Sequence, residues 1–374
     1  YEGQNVVIII MESFSVEYIG ALNESGSTYT PFLDDLISHS LSFTNAYANG
    51  KKSLDAVPAI LASVPKLMED EYLLSNYSVN QLHALPEIMN EMGYSSSFFH
   101  GATNGSMNFD SFCEMIGFQN YYGRTEYNNE ADYDGTWGIY DEEFLDWTKQ
   151  KMNSQKQPFF DVIFTISNHP PYDIPKKYED KFKNAPSKKH RAVMYADYAL
   201  ETFFEKIKNE SWFNNTLFVL TADHTPGTDD PLYSTDLGKV HIPLLFYHAN
   251  DSGLTGTKDR VIGQIDIMPT ILDLVGYKKP YFSFGHSAFH YQRGYTSMLI
   301  ADKYLHFGDF HGEPWMISFQ NESIVQLSKI NNTVIESVDI QNHQDVALKL
   351  EQQLKAMIQA YNHALLTNSM TIEQ

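Results

Sequence analysis

Asn5-Val-Val-Ile-Ile-Ile-Met-Glu12 is the stretch that decides the fold. Its six consecutive apolar residues, five of them β-branched, suit a parallel strand covered on both faces. The run stops abruptly at Glu12, which places a carboxylate at the strand's C-terminal end. Two further strands have the same character. Thr216-Leu-Phe-Val-Leu-Thr-Ala-Asp-His224 ends in acid and imidazole, and Pro158-Phe-Phe-Asp-Val-Ile-Phe-Thr-Ile-Ser-Asn-His169 ends in His169. In open α/β sheets, ligands bind at the carboxyl ends of the strands.

Helical patterns lie between these strands. Leu85 to Met92 is closed by Gly93, and Val193, Ala196, Leu200, Phe203, Phe204 and Ile207 form one stripe. Ile265 to Val275 is stopped by Gly276. The alternation predicts an α/β fold with a doubly wound, mostly parallel sheet flanked by helices. After about residue 288 the sequence breaks into short alternating pieces, such as Tyr295-Thr-Ser-Met-Leu-Ile, followed by a helical pattern from Gln344 to Leu366. A small antiparallel sheet and a terminal helix are expected there, giving a catalytic part over 1–288 and a C-terminal part over 289–374, fused or separate.

Composition narrows the function. The chain has 374 residues, 43% of them hydrophobic, enough for a large core in one domain or in one domain with an appendage. Its 26 basic and 47 acidic residues give a formal charge of −21, which repels nucleic acid. The single cysteine, Cys113, excludes an internal disulfide and a Cys-based zinc site, so any metal ligands must be Asp, Glu, His or hydroxyl. The sequence opens at Tyr1 and has no stretch long enough to span a bilayer, which reads as a fragment whose upstream part is missing.

Glu12 and Asp223-His224 are residue types that hold divalent cations. A carboxylate directly after a β-branched run is costly near a core unless a cation meets it. It also reads as an ordinary loop residue reaching water, just as Asp223 reads as the cap of a turn. Ser53 follows Gly50-Lys51-Lys52 and precedes the helical pattern Leu54, Val57, Ile60, Leu61. It is either a plain N-cap or first-turn residue, or a nucleophile at a helix N-terminus where lysines and the dipole favour phosphoryl oxygens. Spacing alone does not separate these readings.

Other residues read as structural. The cluster Tyr121, Tyr122, Tyr127, Tyr133, Trp137 and Tyr140 reads as core in preference to a lipid or sugar cleft. Asp266 reads as a helix cap and Asp229-Asp230 as a solvated loop. His39, His83, His190, His248, His286, His290, His306, His311, His343 and His363 carry no functional assignment.

Taken together, the blocks resemble the lipoteichoic acid synthase-like sulfatase domains of the alkaline-phosphatase/sulfatase superfamily. Val6 to Phe14 is similar to their hydrophobic strand followed by Glu-Ser-Phe, and Tyr29-Thr-Pro-Phe-Leu-Asp-Asp-Leu36 to their Thr-Pro helix. In order come Asn49-Gly-Lys-Lys-Ser-Leu-Asp-Ala-Val-Pro-Ala-Ile-Leu61, Phe98-Phe-His-Gly101, Ser167-Asn-His-Pro-Pro-Tyr172, Ala222-Asp-His224, His241-Ile-Pro-Leu244 and Gln264-Ile-Asp-Ile-Met-Pro-Thr-Ile-Leu272. The likeness covers about residues 5 to 285.

This resemblance implies an alkaline-phosphatase-like fold and one divalent metal, Mn or Zn, held by Glu12, Ser53, Asp223 and His224. It makes Ser53 the nucleophile, with His169 stabilising the phosphoryl group or protonating the departing alkoxide. His100, His241 and Lys51 fall on the substrate side. The activity implied is transfer of a phosphoglycerol-type group from a phospholipid or phospho-alcohol donor to a glycan or lipid acceptor. It implies a catalytic domain outside a cell membrane, anchored through a missing N-terminal transmembrane region. A sulfatase or phosphodiesterase, or a non-catalytic domain binding envelope glycan, are the alternatives. Three departures bear on this. The Asp, Trp and Arg that follow the His-Gly turn in such synthases are replaced by Ala102-Thr-Asn-Gly-Ser-Met-Asn-Phe109. Ser53 is not in the Cys/Ser-x-Pro-x-Arg context that formylglycine formation needs. No full second set of metal ligands can be placed.

Overall fold

A computed structural model describes residues 3–228, 230–289 and 294–372. Asp229 of the expected solvated loop and His290 lie outside them. Strands β1 (Asn5–Met11), β2 (Leu41–Tyr47), β3 (Ser95–His100), β4 (Asn120–Tyr122), β5 (Phe159–Phe164), β6 (Thr216–Ala222), β7 (Leu244–Tyr247) and β8 (Gly256–Gly263) form one sheet. Their order is β4-β3-β5-β1-β6-β7-β2-β8. Only β7 runs antiparallel to its neighbours, β6 and β2.

The apolar run of β1 is central because it has no polar face to give to water. Val6, Ile8 and Ile10 enter one hydrophobic cluster and Val7, Ile9 and Met11 another, so the two faces of the sheet are both covered. Helices Ser53–Ala62, Leu85–Glu91 and Ile267–Leu274 close the first face. Helices Pro31–Ser38, Asp141–Asn153 and Lys188–Ile207 close the second.

A second sheet, β13-β12-β11-β10-β9, is antiparallel and follows residue 294. Its strands are β9 (Tyr295–Ile300), β10 (Lys303–Phe310), β11 (Glu313–Gln320), β12 (Ser323–Asn331) and β13 (Val334–Ser337). Helix Gln344–Thr367 packs Leu350 and Leu354 against Trp315, Ile317 and Leu327 of this sheet. Farther along, Met357, Tyr361, Ala364 and Leu365 join the core of the large sheet. No helix among the described residues is long and apolar enough to cross a membrane.

The element ends differ from the sequence reading in two places that matter. The third strand stops at Phe164, so His169 stands in the loop beyond β5 and not at the strand end. The helix expected from Ile265 begins as a tight turn, Gln264–Asp266, before Ile267–Leu274. Asp266 accepts the Gly263 and His286 backbone N–H groups, as a cap does.

Candidate active site

β1 and β6 are parallel and in register, with Met11 opposite Ala222, so the residues that follow, Glu12 and Asp223, emerge side by side. Asp223 still donates its N–H to the Met11 carbonyl, which extends the ladder by one bond. The chain then turns sharply at Ser13, a non-glycine residue at φ 53°. That turn aims the Ser13 N–H at Asp223 Oδ1, 2.7 Å away, and His224 N–H reaches the same oxygen at 2.8 Å. Asp223 Oδ2 remains for the site. The Ser53 hydroxyl donates to it at 2.7 Å, and His224 Nε2 lies 3.2 Å from it.

Ser53 is the first residue of the helix Ser53–Ala62, following the extended cap residue Lys52. The turn that delivers it is tight: a Cβ on Gly50 would meet the Asp55 side chain at 2.3 Å, so only glycine fits against that carboxylate. Asp55 Oδ2 accepts the Lys51 N–H at 3.1 Å. Behind the turn, Gln264 Oε1 accepts the Asn49 N–H at 2.8 Å, while Gln264 Nε2 donates to the carbonyls of Ala222 at 2.8 Å and Asp223 at 2.7 Å. One buried amide thus joins the Ser53 turn to the Asp223 strand end.

The ligand atoms of Glu12, Asp223 and His224 lie within 4.8 Å of one another. Their chemistry fits a divalent cation. His224 Nδ1 faces the Thr225 carbonyl at 3.1 Å and must carry the hydrogen, which leaves the Nε2 lone pair facing Asp223 Oδ2. Burial and then the Asp223 charge push the Glu12 pKa well up. Among the described residues no lysine or arginine forms an ion pair with Glu12 or Asp223. Two buried carboxylates and an imidazole lone pair that converge without a cationic side chain call for a proton or a metal between them. Glu12 is braced from outside as well: Ser13 Oγ donates to its Oε1 at 2.5 Å, and its own N–H donates to Thr165 Oγ1 at 2.9 Å.

A narrow cavity of about 20 Å³ opens on this group, lined by Glu12, Ser53, His100, Met107, Phe109, Trp137 and His169 among others. His100 Nδ1 bonds the Phe164 carbonyl at 3.1 Å and its ring stacks on Phe164, so Nε2 is the free nitrogen. Burial draws its pKa down to about 4, offset in part by that carbonyl and by Asp223. His169 is drawn down in the same sense, mainly by burial.

Two of the expected substrate residues stand elsewhere. His241 is buried, with Nε2 2.6 Å from the Thr44 carbonyl and its ring against Tyr47, and it does not line this cavity. Lys51 also does not line it; desolvation and then neighbouring Lys239 lower its pKa. In the other direction, Trp137, which reads as core with the aromatics around it, lines the cavity. Tyr121 and Tyr122 do stack on Phe98 and Phe99. Ser13, Thr165, Asn168 and Gln264, which brace the ligands, were not singled out. Their signal is position: each follows the end of a strand, inside or beside a motif block.

The family model described as sulfatase matches residues 4–277. The chain belongs to the sulfatase family. Among curated members of known name, it is 27% identical over 299 residues to the lipoteichoic acid synthase-like YvgJ of Bacillus subtilis, covering 74% of this chain and 48% of that protein. It is 26% identical over 313 residues to lipoteichoic acid synthase 1 of the same organism, covering 77% and 48%. The chain therefore spans about half the length of the curated relatives it matches. In fold it is similar to an alkaline phosphatase superfamily protein from Vibrio parahaemolyticus, with TM-score 0.84 and 24% identity over 100% of this chain and 90% of that one. It is likewise similar to the lipoteichoic acid synthase LtaP from Listeria monocytogenes, with TM-score 0.82 and 19% identity over 100% and 94%.

Proposed function

We propose that this sulfatase-family chain is the catalytic part of a metal-dependent phosphotransferase. It moves a phosphoglycerol-type or similar phospho-alcohol group from a phospholipid donor to a glycan or lipid acceptor, outside a cell membrane. The observation that carries the reading is the Ser53 hydroxyl, hydrogen-bonded to Asp223 Oδ2 within the set made by Glu12, Asp223 and His224. Those four residues would hold one Mn or Zn ion, which when bound favours the serine alkoxide and offsets charge on the phosphoryl oxygens.

The chain's own residues supply the rest. Ser53 Oγ stands at a helix N-terminus, where unpaired N–H groups and the dipole favour an incoming anion. As the Ser53 Oγ–P bond forms, the P–O bond to the donor alcohol breaks, with its electron pair going to that oxygen. His169, entering as imidazolium, gives this oxygen its Nε2 proton and recovers one from the acceptor hydroxyl, which attacks phosphorus and releases Ser53. Ala102, Met107 and Phe109 give the cavity an apolar wall that limits water there. That wall also carries no side-chain cation for a second phosphate charge, which favours a diester over a monoester.

The same wall supports a second reading, a phosphodiesterase that passes the group to water, because the charged residues expected beside a glycerol-phosphate acceptor are missing from 102–109. The test is turnover of a chromogenic phosphodiester and of a sulfate ester by protein loaded with Mn²⁺ or Zn²⁺, with Ser53→Ala beside it. Phosphodiester turnover that requires metal and falls at least ~10³-fold in Ser53→Ala is expected. Preference for the sulfate ester, or failure to take up either metal, overturns the proposal. Product in glycerol or in water alone decides between transfer and hydrolysis.

A further inference from the structure

His169 lies on the loop after β5, where no strand fixes it, yet its ring has a defined neighbour. The Trp137 indole lies against it with ring centroids 3.7 Å apart at 42°. Trp137 Nε1–H donates to the Pro170 carbonyl oxygen at 2.6 Å, and His169 Nδ1 is 3.0 Å from the same oxygen. A carbonyl oxygen only accepts, so Nδ1 carries the ring hydrogen and Nε2 is the nitrogen left for a ligand. Both rings line the cavity that holds Glu12 and Ser53. Trp137 is fixed in turn by Asp134, whose Oδ1 accepts the backbone N–H groups of Thr136 at 2.7 Å, Trp137 at 2.8 Å and Gly138 at 3.1 Å.

We propose that Trp137 is the positioning residue of His169: its indole and the shared Pro170 carbonyl hold the imidazole so that Nε2 faces the oxygen entering or leaving phosphorus. The inference rests on the phosphotransfer reading and adds to it. The segment 132–138, remote in sequence from every metal ligand, sets the proton-transfer geometry. The ring enters as imidazolium, with Nδ1–H on the Pro170 carbonyl and a second hydrogen on Nε2. Nε2 gives that hydrogen to the departing alkoxide as the P–O bond breaks and takes one from the acceptor as the next P–O bond forms, so the ring returns unchanged. The requirement is strong for an alkyl alcohol, a poor leaving group, and weak for p-nitrophenol, which departs as its anion.

The experiment uses the metal-loaded chain with a p-nitrophenyl phosphodiester and a dialkyl phosphodiester as probes, on wild type, His169→Ala, Trp137→Ala and Trp137→Phe. His169→Ala is expected to lower kcat on the alkyl ester by ~10²-fold or more and on the p-nitrophenyl ester far less. Trp137→Ala is expected to show the same selective loss, about tenfold on the alkyl ester, with KM little changed. Trp137→Phe, which keeps an aromatic face without the N–H, is expected to recover part of it. Equal loss on both esters in the Trp137 variants, or no loss while His169→Ala keeps its selectivity, overturns the role of Trp137 alone. A His169→Ala variant that slows both esters equally, or neither, overturns the role of His169 and with it that of Trp137.

Discussion

At the scale of single residues, ordinary hydrogen-bond chemistry decides what each histidine can do. A carbonyl partner fixes Nδ1–H in His100, His169 and His224, so each offers Nε2 to the cavity or the ligand set. His306 shows the opposite use of the same side chain. It is fully buried under the small sheet, between Ser297 Oγ at 2.7 Å and Gln353 Oε1 at 3.4 Å, and burial draws its pKa down to about 4 despite the Gln353 contact. The unfolded chain takes up that proton below pH ~6.5 while the folded chain stays neutral. Stability from this site is therefore complete above that pH and is lost as pH falls towards 4. His306→Gln should narrow the difference in unfolding free energy between pH 7 and pH 4.5 by on the order of 1–3 kcal/mol, measured by urea denaturation. Comparison with wild type is essential, because Asp197 and Asp266, raised to about 7 chiefly by burial, act in the opposite direction over the same range. The sequence separates the two histidines only in part: His169 stands in the Ser167–Tyr172 block and reads as a site residue, whereas nothing in the letters around His306 shows its burial or its partners Ser297 and Gln353.

At the scale of elements, the strand ends do most of the positioning. Met11 opposite Ala222 sets Glu12 beside Asp223. The sequence showed that both acids end apolar runs and so share the carboxyl edge of the sheet, but not that these two strands are neighbours. The loops were not readable. The sequence offered Trp137 only as one of a run of aromatics, and its exposure to the cavity comes from the Asp134 turn and from the bridge between Ala102 and Gly138. That bridge is close: a Cβ on Gly138 would sit 2.5 Å from the Gly101 carbonyl oxygen. Gly138→Ala must push the 134–139 turn away from the end of β3, at a stability cost of about 1–3 kcal/mol. It should also reduce turnover of an alkyl phosphodiester more than metal uptake, since the ligands stand on other elements. Loss of metal uptake matching the loss of turnover would show that the turn supports the whole site and not one wall of it.

At the scale of the molecule, the family match ends at residue 277, but the bonds that hold the Ser53 turn do not. Asn49, which presents the Ser53 turn to Gln264, donates its side-chain amide to Thr296 Oγ1 at 2.8 Å and to the Ser297 carbonyl at 3.0 Å, both on β9. Its Oδ1 accepts the Ile265 N–H at 3.0 Å, and all of these groups are buried. A chain ended at residue 288 keeps every proposed ligand and leaves the Asn49 amide without its acceptors, a cost of about 1–3 kcal/mol for the buried donor before any loss of packing. Such a chain should melt lower than the full one and turn over phosphodiester less than a tenth as fast, as scanning calorimetry and a rate assay would show. The short alternating pieces after 288 read as the small antiparallel sheet that is present, but they carried no sign that this sheet reaches back to the serine. Anyone cutting this protein into working pieces should therefore place the scissors after the last helix, because the stretch that holds Ser53 in place is longer than the one the family model matches.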